Sequence, residues 1–270
     1  MKVYELDSAR YYTAPGLFWD ALFKSTGHKQ ELLTDINMHI KFEGCTHGGH
    51  SGISKRFLQA NNKYMNNYDP SKPSKYIVPL DGNNLYGWAM SRPLPIGRYK
   101  DATEEEIRNC RNIEGDYIAC VDLGYPKHLH DKYNDYPLAP ENGKVGKSTK
   151  LIASLHDKKR YTLHHKLLKY YESKGLEVQK VHWIVKFEEA EWMKPYVLTN
   201  TRMRAQAKNE FEKFSYKLAN NLVFGKTIEN LRKHVDAKIV TNDKQAKRWA
   251  NKPNFARFTI IDENTFPSLI

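Results

Sequence analysis

Residues 76–88 read Tyr-Ile-Val-Pro-Leu-Asp-Gly-Asn-Asn-Leu-Tyr-Gly-Trp, an apolar run that ends in a carboxylate and a polar turn. The first five residues predict a strand that ends at Asp81, although Pro79 suits an edge or a bulge better than a central strand. The end of a strand holds a carboxylate in a fixed position, where it can bind a divalent cation. The alternative is a plain turn with Leu85 and Tyr86 packed beneath it.

A second candidate site lies within residues 201–233, whose apolar residues recur with the period of a helix. One apolar stripe, expected to face the core, consists of Phe211, Leu218 and Leu222. A different helix face carries Lys213, Lys217, Asn221 and Phe224. A cation, an amide and a ring in this order could meet a phosphate, a base edge and a base or sugar face. The alternative is an ordinary amphipathic helix with a solvated polar face.

The remaining elements predict an α+β protein. Strands are expected at 117–123 and 176–187, with short β segments at 238–240 and 256–261, and the stretch 125–149 is expected to be irregular. An early helix starts near Pro15 and is closed by Gly27. Strands and helices are segregated rather than alternating, which favours α+β over a doubly wound sheet.

Composition indicates a protein with polyanionic partners. The 270 residues carry a net charge of +12, and 12% of them are aromatic. Residues 144–180 alone hold ten Lys and Arg against three Asp and Glu, which favours phosphate contact, with a merely solvated face as the alternative. Three cysteines without a CxxC pair argue against a disulfide framework. No signal-peptide core or 18-residue apolar run is present, so we expect an intracellular protein without membrane contact.

Two shorter patterns resemble known binding sites only in part. The run 143–148, Gly-Lys-Val-Gly-Lys-Ser, has too short a gap between its glycines for a phosphate-binding loop and follows no buried strand. Cys45, His47 and His50 could form half of a zinc site, but no second pair of ligands lies near them in sequence.

Together, the two polar stretches resemble motifs A and B of family B DNA polymerases, in the protein-primed branch and most closely its Polinton/Maverick type. The motif D-x-x-S-L-Y-P is matched by residues 81–87, Asp-Gly-Asn-Asn-Leu-Tyr-Gly. The motif K-x-x-x-N-S-x-Y-G is matched by Lys217, Asn221, Leu222, Phe224 and Gly225. Upstream, residues 46–49 (Thr-His-Gly-Gly) resemble the Y-x-G-G template-binding loop. Gly87, Leu222, Phe224 and Thr46 depart from the usual proline, serine and two tyrosines.

The resemblance implies a role for each matching residue. Asp81 would be the catalytic carboxylate and the ligand of two Mg²⁺ ions, and Lys217 would neutralise the phosphates as pyrophosphate leaves. The residues implied to bind the nucleotide are Asn83, Asn84, Leu85, Tyr86, Lys217, Asn221 and Phe224. Those implied to bind DNA are His47, Gly48, Gly49, Lys213, Gly225 and Lys226. Tyr86 would close the sugar pocket against a ribose 2′-hydroxyl.

The resemblance also implies an architecture, a partial family B palm with helical fingers and an insertion. We expect five regions: 1–65, which leads in from an exonuclease domain and holds the template loop; 66–124, palm with motif A; 125–199, a basic insertion of the terminal-protein-contacting type with a palm strand; 200–236, fingers with motif B; and 237–270, the start of the return to the palm. The exonuclease signature D-x-E does not precede motif A, and the D-T-D of motif C, with its second catalytic carboxylate, does not occur.

Two functions are consistent with these motifs. The first is a DNA-directed DNA polymerase that adds dNTPs to the primer 3′-end of a primer–template by a two-metal mechanism, started on a terminal protein. The second is a non-catalytic nucleic-acid-binding remnant of a mobile or viral element. The nucleus and a viral replication site are both compatible with the sequence.

Overall fold

A computed structural model of the protein describes residues 3–109, 113–230, 232, 237–259 and 266–269. The chain divides into two compact units, Met1–Phe224 and Gly225–Ile270. The five-part division expected from the motifs is finer than this and stays a prediction. Both units combine helices with antiparallel strands, as the α+β prediction requires.

The first unit contains most of the regular structure. Its described helices are α1 (Ala14–Thr26), α2 (Ile36–Glu43), α3 (Leu85–Met90), α4 (Glu104–Arg108), α5 (His130–Tyr133), α6 (His165–Ser173), α7 (Lys194–Gln206) and α8 (Glu210–Thr227), the last turn of which passes into the second unit. Its described strands are β1 (Leu94–Asp101), β2 (Asp116–Gly124), β3 (Glu141–Val145), β4 (Ser148–Ile152), β5 (Lys158–His164) and β6 (Glu177–Ala190). Helix α1 ends, as predicted, at Gly27, which adopts the left-handed conformation with φ 63°.

A four-stranded antiparallel sheet in the order β1-β6-β2-β5 forms the centre of the first unit. Its strands β2 and β6 confirm the predictions at 117–123 and 176–187. Successive side chains of β2 point to opposite faces. Tyr117 therefore packs in a core with Leu168 of α6, whereas Ile118 packs with Met38 of α2. The sheet is covered by helices on both faces.

The stretch 125–149 contains more regular structure than predicted. It holds α5, β3 and the first residues of β4, so the expectation of an irregular insertion is wrong there. Strands β3 and β4 pair as a hairpin in which Val145 faces Ser148. Gly146 supplies the positive φ of the two-residue turn, at 61°. The supposed phosphate-loop pattern is therefore the tip of a β-hairpin.

A helical core beside the sheet supports the motif regions. Most of its buried side chains come from α1, α3, α7 and α8, among them Leu22, Met90, Tyr196, Ala219 and Val223. Among the described residues, no helix is both long enough and apolar enough to cross a bilayer.

The buried face of α8 differs from the predicted one. The predicted helical stretch 201–233 consists of the end of α7 and of α8, and part of its last turn lies outside the described residues. The expected core stripe was Phe211, Leu218 and Leu222, but Phe211 is 79% exposed and the two leucines are only partly buried. The residues of α8 that are buried are Ala219, Asn220 and Val223. Small and polar side chains form this face because α7 packs directly against it, through a hydrogen bond from the Tyr196 hydroxyl to the Ala219 carbonyl.

The second unit has a small sheet of its own. Strands β7 (Ala237–Val240), β8 (Arg257–Phe258) and β9 (Phe266–Leu269) pair antiparallel in the order β7-β9-β8, and helix α9 spans Asp243–Ala250. The predicted segment 238–240 is confirmed in β7. The segment 256–261 is confirmed for β8, and its last two residues lie outside the described part of the chain.

Candidate functional site

The segment before Asp81 is extended but is not a strand, so the predicted strand at 76–80 is wrong. Its apolar side chains are 57–91% exposed, and among the described residues its pairing is limited to the isolated bridge between Asn61 and Lys75 just before it. A segment of high β-propensity forms a strand only where a neighbour completes the ladder. Asp81 itself is exposed.

The turn after Asp81 leads directly into α3. Asn84 stands at the N-terminal end of this helix in the left-handed conformation (φ 54°, ψ 43°). Leu85 is 62% and Tyr86 51% exposed, so the alternative of a plain turn with both side chains packed beneath it does not hold. The turn presents its side chains outward instead.

The Asn84 side chain lies over Gly87. A Cβ atom at residue 87 would lie 2.4 Å from Asn84 Nδ2 and 2.6 Å from Asn84 Oδ1. Real Cβ contacts are longer than this, so any side chain at residue 87 would displace the Asn84 amide. The absent side chain of Gly87 thus leaves room for the Asn84 amide over the first turn of α3.

The two predicted motifs line one open cleft in the first unit, which encloses about 590 Å³. The lining residues are Asp81, Gly82, Asn83, Asn84, Leu85, Tyr86, Arg204, Lys217 and Asn221. The volume lies within the range of sites for small ligands, about 300–1,000 Å³. Seven of these residues, all except Gly82 and Arg204, are site residues predicted from the sequence, and the structure brings them together from segments more than 130 residues apart.

A ring contact joins the two motifs. The Tyr86 and Phe224 rings are stacked, with centroids 4.0 Å apart and planes inclined by 8°. Tyr86 belongs to α3 and Phe224 to α8, so the contact fixes the separation of the two helices at the edge of the cleft. Phe224 keeps the ring of the tyrosine usual in this motif, and the ring is the part that stacks here.

A buried polar network positions α8. Asn200 of α7 donates from Nδ2 to Asn220 Oδ1 at 3.0 Å, and the Tyr4 hydroxyl donates to Asn200 Oδ1. Asn200 is fully buried and Asn220 nearly so. Burial raises the pKa of Tyr4 to about 12, which keeps its hydroxyl a donor. Because Asn220 points into this network, its neighbour Asn221 is directed into the cleft.

Charge in the cleft is mainly positive. Among the described residues Asp81 is the one carboxylate on its lining, facing the cations Lys217 and Arg204. Sequence reasoning missed Arg204, which carries no motif. The usable signal was the three-residue connection between α7 and α8, which makes the two helices neighbours.

The oxygen ligands that line the cleft suit a divalent cation only in part. The described residues contain no cluster of three His, Cys, Asp or Glu side chains able to hold a metal ion. Mg²⁺ is commonly bound through one or two carboxylates together with substrate phosphates. Asp81 with its neighbouring amide oxygens therefore fits Mg²⁺ that arrives with a phosphate ligand, rather than a resident ion.

The predicted DNA-binding residues lie elsewhere. The His47 ring stacks on Tyr161 with centroids 4.7 Å apart, and its Nε2 lies 2.9 Å from the Thr162 carbonyl oxygen. This fixes the loop to β5. Gly48 and Gly49 are exposed, with open space where a Cβ would stand. None of these three residues is among the described lining of the cleft.

The remaining predicted DNA contacts are on or after α8. Lys213 pairs with Glu210, with Nζ 2.6 Å from Oε1, and is outside the described lining of the cleft. Gly225 and Lys226 belong to the second unit, where Gly225 is exposed and Lys226 pairs with Glu229. Their role in DNA binding stays a prediction.

Comparison with known proteins finds one family whose model matches the chain and one fold that is similar to it. The family model described as "DNA polymerase type B, organellar and viral" matches residues 65–268. The orthorhombic crystal form of Phi29 DNA polymerase is similar with a TM-score of 0.52 and 14% identity, over 83% of this chain and 38% of that one. Phi29 DNA polymerase in complex with primer-template DNA and incoming nucleotide substrates is similar with a TM-score of 0.55 and 13% identity, over 87% of this chain and 39% of that one. No curated protein sequence matches.

Proposed function

Because the chain belongs to the family of type B DNA polymerases of organelles and viruses, we propose that its cleft binds an incoming deoxynucleoside triphosphate for addition to a DNA primer 3′-end. The chain spans less than two fifths of the Phi29 polymerase chain, so the activity and its substrates are inferred for this chain. The observation that carries the proposal is the cleft itself, where Asp81 faces Lys217 and Asn221.

The charges of the cleft suit a triphosphate. Lys217 and Arg204 lie outside any ion pair of the described residues, so both cations are available to phosphate oxygens. In the proposed reaction the primer 3′-oxygen forms a bond to the α-phosphorus and pyrophosphate leaves with the electrons of the broken bond. Lys217 and Arg204 would stabilise the charge that develops on the leaving group.

The rings and amides at the cleft edge suit the nucleoside. Tyr86 would contact the sugar, and the stacked Phe224 ring would support it from behind. Asn221 presents an amide that can hydrogen-bond to a base edge. Asp81 would hold Mg²⁺ brought by the triphosphate, and the ion would neutralise phosphate charge and make the 3′-hydroxyl easier to deprotonate.

Primer extension tests this proposal. The purified chain is given a DNA primer–template and dNTPs with Mg²⁺, then with Mn²⁺, beside Asp81→Asn and, as its control, Asp131→Asn, an exposed carboxylate outside the cleft. Extension by the unchanged chain and by the Asp131→Asn variant, but not by Asp81→Asn, is expected. Extension that survives Asp81→Asn would contradict the assignment.

Nucleotide binding tests the cleft apart from catalysis. Labelled dNTP with Mg²⁺ is titrated into the chain, and Lys217→Ala is expected to weaken binding by about ten- to a hundredfold, since a charged hydrogen bond contributes about 1.5–3 kcal/mol. Lys244→Ala on α9, an exposed lysine of the second unit, serves as control and should bind as the unchanged chain does. Equal binding by the two variants would place the triphosphate elsewhere.

A second function has one observation in its favour, namely that the described cleft holds a single carboxylate. A nucleic-acid-binding chain without nucleotidyl transfer would bind DNA in a salt-dependent way and extend no primer. The terminal protein, the mobile-element origin and the cellular compartment are further predictions of the sequence resemblance.

A further inference from the structure

Two phenylalanine side chains near the start of α8 lie open to solvent. Phe211 is 79% and Phe214 60% exposed. Neither belongs to a hydrophobic cluster of the described residues. Large rings that stand side by side on a surface commonly mark a contact with another molecule.

The two rings continue the face of α8 that borders the cleft. Phe211 and Phe214 are three residues apart, and Phe214 precedes Lys217 by three and Asn221 by seven. Residues at these spacings lie on successive turns of neighbouring stripes. Lys217 and Asn221 line the cleft, so a strand that leaves the cleft towards the start of α8 meets the rings.

The two helices that lead to and carry the rings have an excess of positive charge. Residues 194–226 contain seven Lys and Arg against two Asp and Glu. Both carboxylates are engaged locally, because Glu210 pairs with Lys213 and Glu212 accepts a hydrogen bond from the backbone N–H of Lys208 at 2.9 Å. The Lys208 side chain is exposed and lies outside any ion pair of the described residues.

We propose that Phe211 and Phe214, flanked by Lys208 and Lys217, form a stacking platform for the unpaired bases of single-stranded DNA that extends from the cleft. Aromatic faces among cations bind single strands without sequence preference, because every base offers a π-face and every nucleotide a phosphate. An apolar protein segment would cover the rings as well, but the excess of cations favours a polyanion. The platform depends on the proposed function in one respect, namely that DNA occupies the cleft from which the single strand extends.

The test measures DNA binding without nucleotides, by fluorescence anisotropy. Two labelled duplexes are compared, one blunt and one with a six-nucleotide 5′ overhang. Each is titrated with the unchanged chain, two double variants and one single variant. Phe211→Leu with Phe214→Leu keeps apolar bulk but removes both rings, Phe211→Tyr with Phe214→Tyr keeps the rings, and Tyr12→Leu removes a fully exposed ring elsewhere.

The unchanged chain is expected to bind the overhang duplex more tightly than the blunt one. The leucine double variant should lose at least about fivefold of that preference, with its affinity for the blunt duplex and its thermal midpoint unchanged. The tyrosine double variant and Tyr12→Leu should keep the preference.

Three results would overturn the platform: no preference for the overhang in the unchanged chain, a preference that survives in the leucine variant, or an equal loss on both duplexes. Loss in the tyrosine variant as large as in the leucine variant would also overturn stacking, because the tyrosine variant keeps both rings. The labelled-dNTP titration separates this failure from that of the cleft. Bound dNTP without overhang preference refutes the platform alone, and overhang preference without bound dNTP refutes the cleft alone.

Discussion

Replacing Asn220 by alanine tests the buried face of α8 apart from its binding face, because the adjacent Asn221 faces the cleft. Asn220 Oδ1 accepts the hydrogen bond from Asn200 Nδ2 at 3.0 Å, and both side chains are buried. The alanine variant leaves the Asn200 amide without an acceptor in a site closed to water. An unsatisfied buried polar group costs about 1–3 kcal/mol, so we expect the free energy of unfolding to fall by about 2 kcal/mol.

The neighbouring substitution Asn221→Ala is the matched control. Both variants gain the same helix propensity, about 0.5 kcal/mol at most, so the difference between them cancels it. Asn221→Ala should leave stability within about 0.5 kcal/mol of the unchanged chain and weaken dNTP binding instead. In a unit of this size 1 kcal/mol corresponds to about 2–4 °C, so Asn220→Ala should melt about 4–8 °C lower.

Urea unfolding followed by tryptophan fluorescence, with thermal unfolding beside it, measures both variants. Asn200→Ala and the double variant complete a cycle, in which the double loss should be smaller than the sum because one pair is removed twice. The reasoning would be refuted if Asn221→Ala destabilised the protein as much as Asn220→Ala, or if the two asparagines proved additive.

Three further predictions concern other parts of the first unit. Lys158 is fully buried and pairs with Glu141, with 3.0 Å between Nζ and Oε1. In urea unfolding, Lys158→Met, which keeps the packed stem, should lose about 1–2 kcal/mol less free energy of unfolding than Lys158→Ala. Equal losses in the two variants would contradict this. The hydrogen bonds from the Arg160 backbone N–H and His182 lower the pKa of Asp122 from 3.8 to about 2, so its contribution to stability is full above pH 4 and is lost as the pH falls towards 2. Unfolding between pH 5 and pH 2 should depend less on pH in Asp122→Asn, and an unchanged dependence would exclude this role. A double-mutant cycle of Tyr86→Leu and Phe224→Leu should give a coupling of about 0.5–1 kcal/mol from the ring stack, whereas a coupling near zero would mean that the rings do not stack in solution.

The sequence predicted the elements that depend on local pattern and on long apolar runs. Strands β2 and β6 are rich in β-branched and aromatic residues, and α1 ends at a glycine in the left-handed conformation. The motifs correctly brought Asp81 and Lys217 to one cleft, because the motif spacing carries information about the fold that periodicity alone does not. These signals are either local or tied to a motif.

The errors arose where a neighbour decides the outcome. The residues 76–80 have strand propensity, but the described chain places no strand beside them. The buried face of α8 was assigned to leucines, whereas the approach of α7 selects Ala219 and Asn220. Hydrophobicity does not encode which helix face another helix will cover, nor that an asparagine will find a buried partner. Arg204 was missed for the same reason.

The Asn84 side chain over Gly87 links two positions at which this chain differs from the usual motif. The motif D-x-x-S-L-Y-P has serine and proline at these two positions, where this chain has asparagine and glycine. Since the Asn84 amide as it stands fills the space that a Cβ at residue 87 would need, a side chain at residue 87 and the present orientation of Asn84 exclude each other. A residue with a Cβ at position 87 would therefore need the shorter serine at position 84, or an Asn84 side chain turned away from the helix.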